Sequence, residues 1–291
     1  MKVGYLCRYS AEEIEFATRA GFGSIQLLIN PGDPLDPAKS SDDDLARARD
    51  EYAEAGIEVS ALGYYGNQLD PDAEKAAAIR AHFESLFDVA GKLGVDCICT
   101  FAGRDPDKSV LDNIPAFKQV FTDHAKLAED RGIKIGFENC PMFHYFPFRG
   151  VNIAYCPDAW DAMFDSVPSE ALGLEYDPSH LICMMMDYLQ IIYDYGDRIV
   201  HVHAKDAEVV WSNVHRNGIL WPGAVRHRTP GMGVADWPQI ISALHEVGYK
   251  GNLDIEGRHD PIYKGPRENE GLVISLRHLS QYIADEFVRG G

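Results

Sequence analysis

The sequence predicts an α/β fold, a single (β/α)8 (TIM) barrel over residues 1–291, from three observations. Short apolar runs alternate with longer amphipathic stretches along the whole chain. Most amphipathic stretches end at a glycine that leads at once into the next strand, as in "AEAGIEVS", "GKLGVDCIC" and "EDRGIKIGFE". No linker rich in Ser, Pro or Gly divides the 291 residues, a length that α/β barrels reach as one domain. An open doubly wound sheet is the rival architecture. It would announce a nucleotide site with a Gly-rich first turn, and "YLCRYSAEE" has no glycine.

The strand candidates are, in order, "KVGYLC", "SIQLLI", "EVSALGYY", "CICTFAG", "KIGFENC", "LGLEYD", "IVHVHAKD" and "GNLDIEG". Between them, "AEEIEFATRAG", "DLARARDEYAEAG", "AEKAAAIRAHFESLFDVAGKLG" and "IPAFKQVFTDHAKLAEDRG" carry apolar residues three and four apart, the period of a helix with one buried face. The interval from Asp206 to Asp236 breaks the rhythm. Its 31 residues exceed the ~12–15 beyond which a structureless loop is uncommon. It therefore reads as a substrate-covering insertion between the seventh strand and its helix, with Trp211, His215, Trp221 and Arg228 as its notable side chains.

Composition narrows the function. With 45 acidic against 27 basic residues the net charge is −18, which repels a polyanion at long range, so nucleic acid is not an expected partner. No run approaches the ~18 apolar residues of a membrane span. The N-terminal stretch is not a secretory signal, and the six cysteines are scattered without a CxxC pair, so reduced thiols and a cytoplasmic location are expected.

In a barrel, chemistry sits at the C-terminal ends of the strands. Strand five ends "GFENCP" with Glu138, and strand six ends "EYDPSH" with Asp177 and His180. Strand seven, "HVHAKD", offers His201, His203, Lys205 and Asp206, and strand eight, "DIEGRHD", offers Glu256. Period-two alternation puts His201, His203 and Lys205 on one face. Alone, Asp177 would read as a helix cap ahead of Pro178 and Ser179. Four consecutive strands delivering metal-capable groups to one rim favour a metal site. Three carboxylates and an imidazole suit Mn2+ first, then Mg2+, with Co2+ and Zn2+ as alternatives.

"GFEN", "EYDPSH", "HVHAKD", "GMGVADW" and "DIEG", in this order, resemble the sugar phosphate isomerase/epimerase family with its xylose isomerase-like barrel, and the resemblance covers essentially the whole chain. It implies Glu138, Asp177, His203 and Glu256 as metal ligands, His180 as a substrate contact, and Glu138 and Glu256 as the catalytic pair that trades a proton across the substrate in ketose 3-epimerases. The sequence departs from that branch twice. His144 stands where those enzymes carry a glutamate, and Val209 where they carry an arginine. The remaining substrate-binding candidates are His144, Lys205 against an oxyanion, Arg149 in the aromatic-rich "PMFHYFPFRGVN", and Trp211 and Arg228 in the insertion. The "YFPF" aromatics equally suit a homo-oligomer contact.

The expected activity is a metal-dependent isomerisation or epimerisation of a ketose or related keto-sugar through an enediolate. The alternative is a lyase of the same fold, an inosose dehydratase or keto-glycoside-cleaving enzyme. An apurinic endonuclease ranks lower, because strands three and four end "GYYGNQ" and "CTFAGR" without the histidines that a three-zinc cluster needs. A barrel that only binds a ligand would not need four ligands at one rim.

Overall fold

The computed structural model describes residues 1–145 and 149–284, apart from the side chains of residues 144 and 145. Eight parallel strands close into a barrel in sequential order. They are β1 (Val3–Cys7), β2 (Ser24–Leu28), β3 (Glu58–Gly63), β4 (Cys97–Thr100), β5 (Lys134–Glu138), β6 (Leu172–Tyr176), β7 (Ile199–Ala204) and β8 (Leu253–Ile255). Closure is made by β1 on β8, with Val3 opposite Leu253 and Tyr5 opposite Ile255. The expected (β/α)8 barrel is the observed one.

Local chemistry fixes the helices. Helix α1 (Ala11–Ala20) is capped by the Ser10 side chain, and α2 (Asp42–Glu54) by a capping box of Ser41 and Asp44. Asp72 caps α3 (Ala73–Leu93), and Ser109 caps α4 (Val110–Arg131). Helices α1, α3 and α4 stop at Gly21, Gly94 and Gly132, each left-handed, a conformation that costs glycine least. Further round the barrel come α5 (Pro157–Ser166), the short α6 (Pro178–Cys183) and α7 (Tyr188–Tyr195). The insertion holds α8 (Trp211–Asn217), and α9 (Trp237–Glu246) and α10 (Glu268–Ser280) complete the set.

The insertion is ordered rather than structureless. Asp206–Val209 pairs antiparallel with Val225–Arg228, and α8 lies between these strands. Asp206 pins it at the barrel end, accepting from the backbone N–H groups of Gly231 and Ala235 and from the Trp237 indole. That explains "GMGVADW": its backbone wraps the Asp206 carboxylate before Asp236 caps α9.

The apolar core lies between barrel and helices, around Phe83, Phe87, Phe117, Phe121, Trp160 and Trp237. The barrel interior is different. Such interiors are usually filled by branched apolar residues, but here Ser24, Gln26, Glu175, His201, His203 and Asp254 are all buried in it. His201 lies between two carboxylates, Nδ1 3.0 Å from Glu175 Oε1 and Nε2 2.9 Å from Asp254 Oδ2. Asp254 also accepts from the hydroxyls of Ser24 and Ser60. Gly4 makes room for this layer, because a Cβ there would overlap Asp254 Oδ1 and Ser24 Oγ. All six cysteines are free thiols. Among the described residues no helix is long and apolar enough to cross a membrane.

Candidate metal centre

The C-terminal rim is built by short polar clamps. Asn139, next after β5, accepts from the Asp177 N–H at 2.7 Å and donates to the Asp177 carbonyl at 2.9 Å. Asn152 donates to the carbonyls of Glu138 and Cys140 at 2.9 and 2.7 Å. The ends of β5 and β6 are thereby locked together. Asp177 then serves twice. Its Oδ1 accepts from Ser179 N–H at 2.8 Å and caps α6, while Oδ2 points into the barrel mouth. The cap and the cluster are therefore one residue.

Around that mouth, donor atoms of Glu138, Asp177, His203 and Glu256 all lie within 4.8 Å of one another. An ion with bonds of ~2.1 Å spans ~4.2 Å between opposed donors, so this spacing fits a single cation with little adjustment. Asp177 Oδ2 is buried and accepts no hydrogen bond. Lys205 Nζ stands 2.8 Å from it as an ion pair without completing one. A buried carboxylate oxygen that accepts no hydrogen bond is costly; the Lys205 ammonium offsets part of that cost, and a metal ion at the cluster would offset the rest. Without a metal ion, Lys205 and the raised His203 and His180 rings offset the three carboxylates; a divalent ion would take over that role as it displaces the His203 proton. The residues fit the group.

Partners on both edges orient the His203 ring. Its Nδ1 lies 3.2 Å from Glu138 Oε1 and 3.6 Å from Glu256 Oε2. Its Nε2 lies 2.7 Å from Gln26 Oε1 and 3.0 Å from Glu175 Oε1. Nε2–H is thus held by the buried layer beneath, and Nδ1 is the atom aimed at the cluster. Burial opposes the charged ring, but Glu175 and Glu138 win and raise the His203 pKa well above its ordinary value. The proton on Nδ1 is the one a metal ion displaces. Burial works against the carboxylates as well. Lys205 nevertheless holds Glu256 well below the usual carboxylate range. Glu138 is pushed up by burial and by Glu256, and is brought down overall by His180 and His203.

Lys205 sits among the ligands. It is 3.0 Å from His180 Nε2 and 3.9 Å from Glu138 Oε1, and it ion-pairs with Glu256. The other oxygen of Glu256 lies 2.9 Å from His259 Nε2. His227, packed on the His180 ring at 4.7 Å, is driven down to about 2 by burial, Lys205 and His180, and so is neutral. Above these groups opens a cavity of about 850 Å3, with Glu138, His180, Lys205 and Glu256 in its lining.

The structure therefore brings Glu138, Asp177, His180, His203, Lys205 and Glu256 together. It places the other candidates elsewhere. Arg149 is ion-paired with Asp107. Arg228 is bound by Glu208 and Asp260. Trp211 is 55% exposed on α8, where its ring meets His215. The His144 side chain lies outside the described residues. The "CMMM" stretch (183–186) also reaches the site: α6 ends at Cys183, and both Cys183 and Met184 line the cavity. The sequence reading missed Gln26, Glu175, His227, Asp254 and His259, and Tyr65, whose hydroxyl donates to Glu175 Oε2 at 2.8 Å. A signal for two of them was present, since Glu175 and Asp254 stand two residues before Asp177 and Glu256 and so face the same way one layer down.

Comparison with known proteins bears on the fold and the family. Inosose dehydratase of Geobacillus thermodenitrificans (strain NG80-2) is 25% identical over 214 residues, 68% of this chain and 68% of that protein. A further inosose dehydratase, of Lacticaseibacillus casei, matches at 29% over 56% of this chain and 55% of its own. Among solved structures, a D-psicose 3-epimerase in the presence of D-fructose superposes with a TM-score of 0.71 at 20% identity over the full length of both chains. The IolI protein with a bound zinc atom gives 0.69 at 19% identity over 99% of each. These two likenesses show the fold. The family model described as xylose isomerase-like TIM barrel matches residues 14–282, nearly the whole sequence, and the chain belongs to that family.

Proposed function

We propose that the protein is a divalent-metal-dependent lyase. It removes a proton from the carbon beside the ketone of a sugar or cyclic polyol and expels the substituent on the next carbon. One observation carries the reading: the two glutamates are not equivalent. Both oxygens of Glu256 are held by cationic or hydrogen-bonding side chains, Lys205 and His259. Glu138 meets imidazoles at 3.2 and 3.6 Å and Lys205 only at 3.9 Å. That asymmetry suits one base with a separate acid better than two interchangeable bases. The inosose dehydratases among its relatives support the same reading.

When bound at Glu138, Asp177, His203 and Glu256, a divalent ion, Mn2+ by its oxygen-rich donor set, supplies Lewis acidity to the ketone oxygen and acidifies the adjacent C–H. Glu138 takes that proton. Lys205 faces the oxygen on which negative charge develops. The linked pair of His180 and Lys205 returns a proton to the departing oxygen. Epimerisation is the second reading, supported by Glu138 and Glu256 both lining the cavity.

The test is turnover of a keto-polyol in D2O with Mn2+, followed by mass spectrometry. Elimination gives a product lighter by the leaving group. Glu138→Gln with its metal content intact should lose ~10²–10⁴-fold in rate. A product of unchanged mass carrying one solvent deuterium favours epimerisation instead. Turnover to a product of unchanged mass with no solvent deuterium on carbon overturns both.

A further inference from the structure

Below the rim, the barrel interior holds a second set of metal-capable side chains. Cys99 on β4, Glu175 on β6 and His201 on β7 are buried there, and donor atoms of all three lie within 4.8 Å of one another. We infer that these residues form a second metal site, selective for a thiophilic divalent ion such as Zn2+ and separate from the oxygen-rich centre at the rim.

Donor chemistry separates the two sites. The rim offers three carboxylates and an imidazole, whereas the interior set has a sulfur, an imidazole and one carboxylate. Thiolate ligands select Zn2+ and other soft ions over Mn2+ and Mg2+. Cys97, two residues earlier on the same face of β4, makes a second sulfur available. Its Sγ is 3.8 Å from that of Cys99, and two sulfurs bound at ~2.3 Å to one tetrahedral zinc stand ~3.8 Å apart. The His201 ring is already held as a ligand's ring would be. Asp254 Oδ2 lies 2.9 Å from its Nε2, and the hydroxyls of Ser24 and Ser60 donate to Asp254. That carboxylate keeps a proton on Nε2 and turns Nδ1 toward Glu175, 3.0 Å away. A carboxylate behind the imidazole is the usual support of a metal-binding histidine. The ion displaces the protons of Nδ1 and of the Cys99 thiol, and the thiolate and Glu175 then balance its two charges.

An ion reaches this set from the end of the barrel opposite the substrate cavity. A cavity of about 440 Å3 opens there between the starts of β3, β4, β5, β7 and β8, with Cys97 and His201 in its lining. Glu58, Asp96 and Asp197 outnumber Lys134 and Lys250 around it, which favours a cation. Cys99, Glu175 and His201 do not line the substrate cavity. The ion's role is therefore structural: it ties β4, β6 and β7 together beneath the rim.

The probe is Cd2+, whose binding to sulfur gives an ultraviolet charge-transfer band, titrated into reduced full-length protein kept in excess Mn2+. Wild type should take up one Cd2+ with the band while keeping its Mn2+. His203→Ala, which lacks the rim site, should take up the same ion with the same band. Cys140→Ser combined with Cys183→Ser should do so too, because the thiols that line the substrate cavity are not the ligands. Cys99→Ser should lose both the band and the ion, with its circular dichroism unchanged. If Cys99→Ser does not fold, the double variant decides: a band that persists without the cavity thiols upholds the interior site. Absence of the band in wild type, its loss with Cys140 and Cys183, or its persistence in folded Cys99→Ser overturns the inference.

Discussion

His203 has an acceptor on each edge of its ring, and that fixes which nitrogen can serve a metal ion. Gln26 and Glu175 hold Nε2 from below, so Nδ1 is presented upward. Glu175 is itself kept charged against burial by His203 and His201. Outer partners of a metal-binding histidine typically contribute 10–100-fold to affinity. Glu175→Gln should therefore weaken Mn2+ binding by ~10–100-fold in a calorimetric titration, while Asp177 and Glu138 stay in place. An unchanged affinity would remove Glu175 from the metal's support. The rim set was legible in the sequence because its four members end four consecutive strands. The partners of Arg149 and Arg228 were not, because Asp107 lies in another loop and Glu208 and Asp260 are brought to Arg228 only by the folded insertion.

The strands carry the alternation that makes the site. On β7 and just past its end the inward residues His201, His203 and Lys205 belong to three successive layers, of which only the upper two reach the cluster. The lowest layer is joined to β1 through Gly4, whose missing side chain leaves space for Asp254 and Ser24. Gly4→Ala should destabilise the barrel by ~1–3 kcal/mol or more, the usual cost of overpacking, seen as a lower thermal midpoint. A stability equal to wild type would mean that the layer yields freely. The strands, the glycine stops and the insertion were legible because they rest on local pattern. The polar interior was not, because it appears only when inward positions of strands distant in sequence are stacked together.

At the scale of the whole molecule, the buried charges make stability depend on pH. Burial disfavours the His201 imidazolium, but Asp254 and Glu175 outweigh it and raise its pKa to about 10. A raised histidine contributes fully below its unfolded value of ~6.5, and the contribution is lost as pH climbs to the folded value. The gap is worth up to ~5 kcal/mol. Denaturant midpoints of wild type should fall between pH 7 and 10 more steeply than those of His201→Gln. Parallel profiles would mean that the ring is neutral in the fold.

The central claim is that Glu138, Asp177, His203 and Glu256 form one divalent-metal site on which the chemistry depends. Elemental analysis of protein dialysed against Mn2+, run beside an assay of the same samples, tests it most directly. Wild type should hold one ion per chain, His203→Ala should hold almost none while keeping its circular dichroism, and chelation should abolish turnover that added Mn2+ restores. Full turnover by folded, metal-free protein would contradict it.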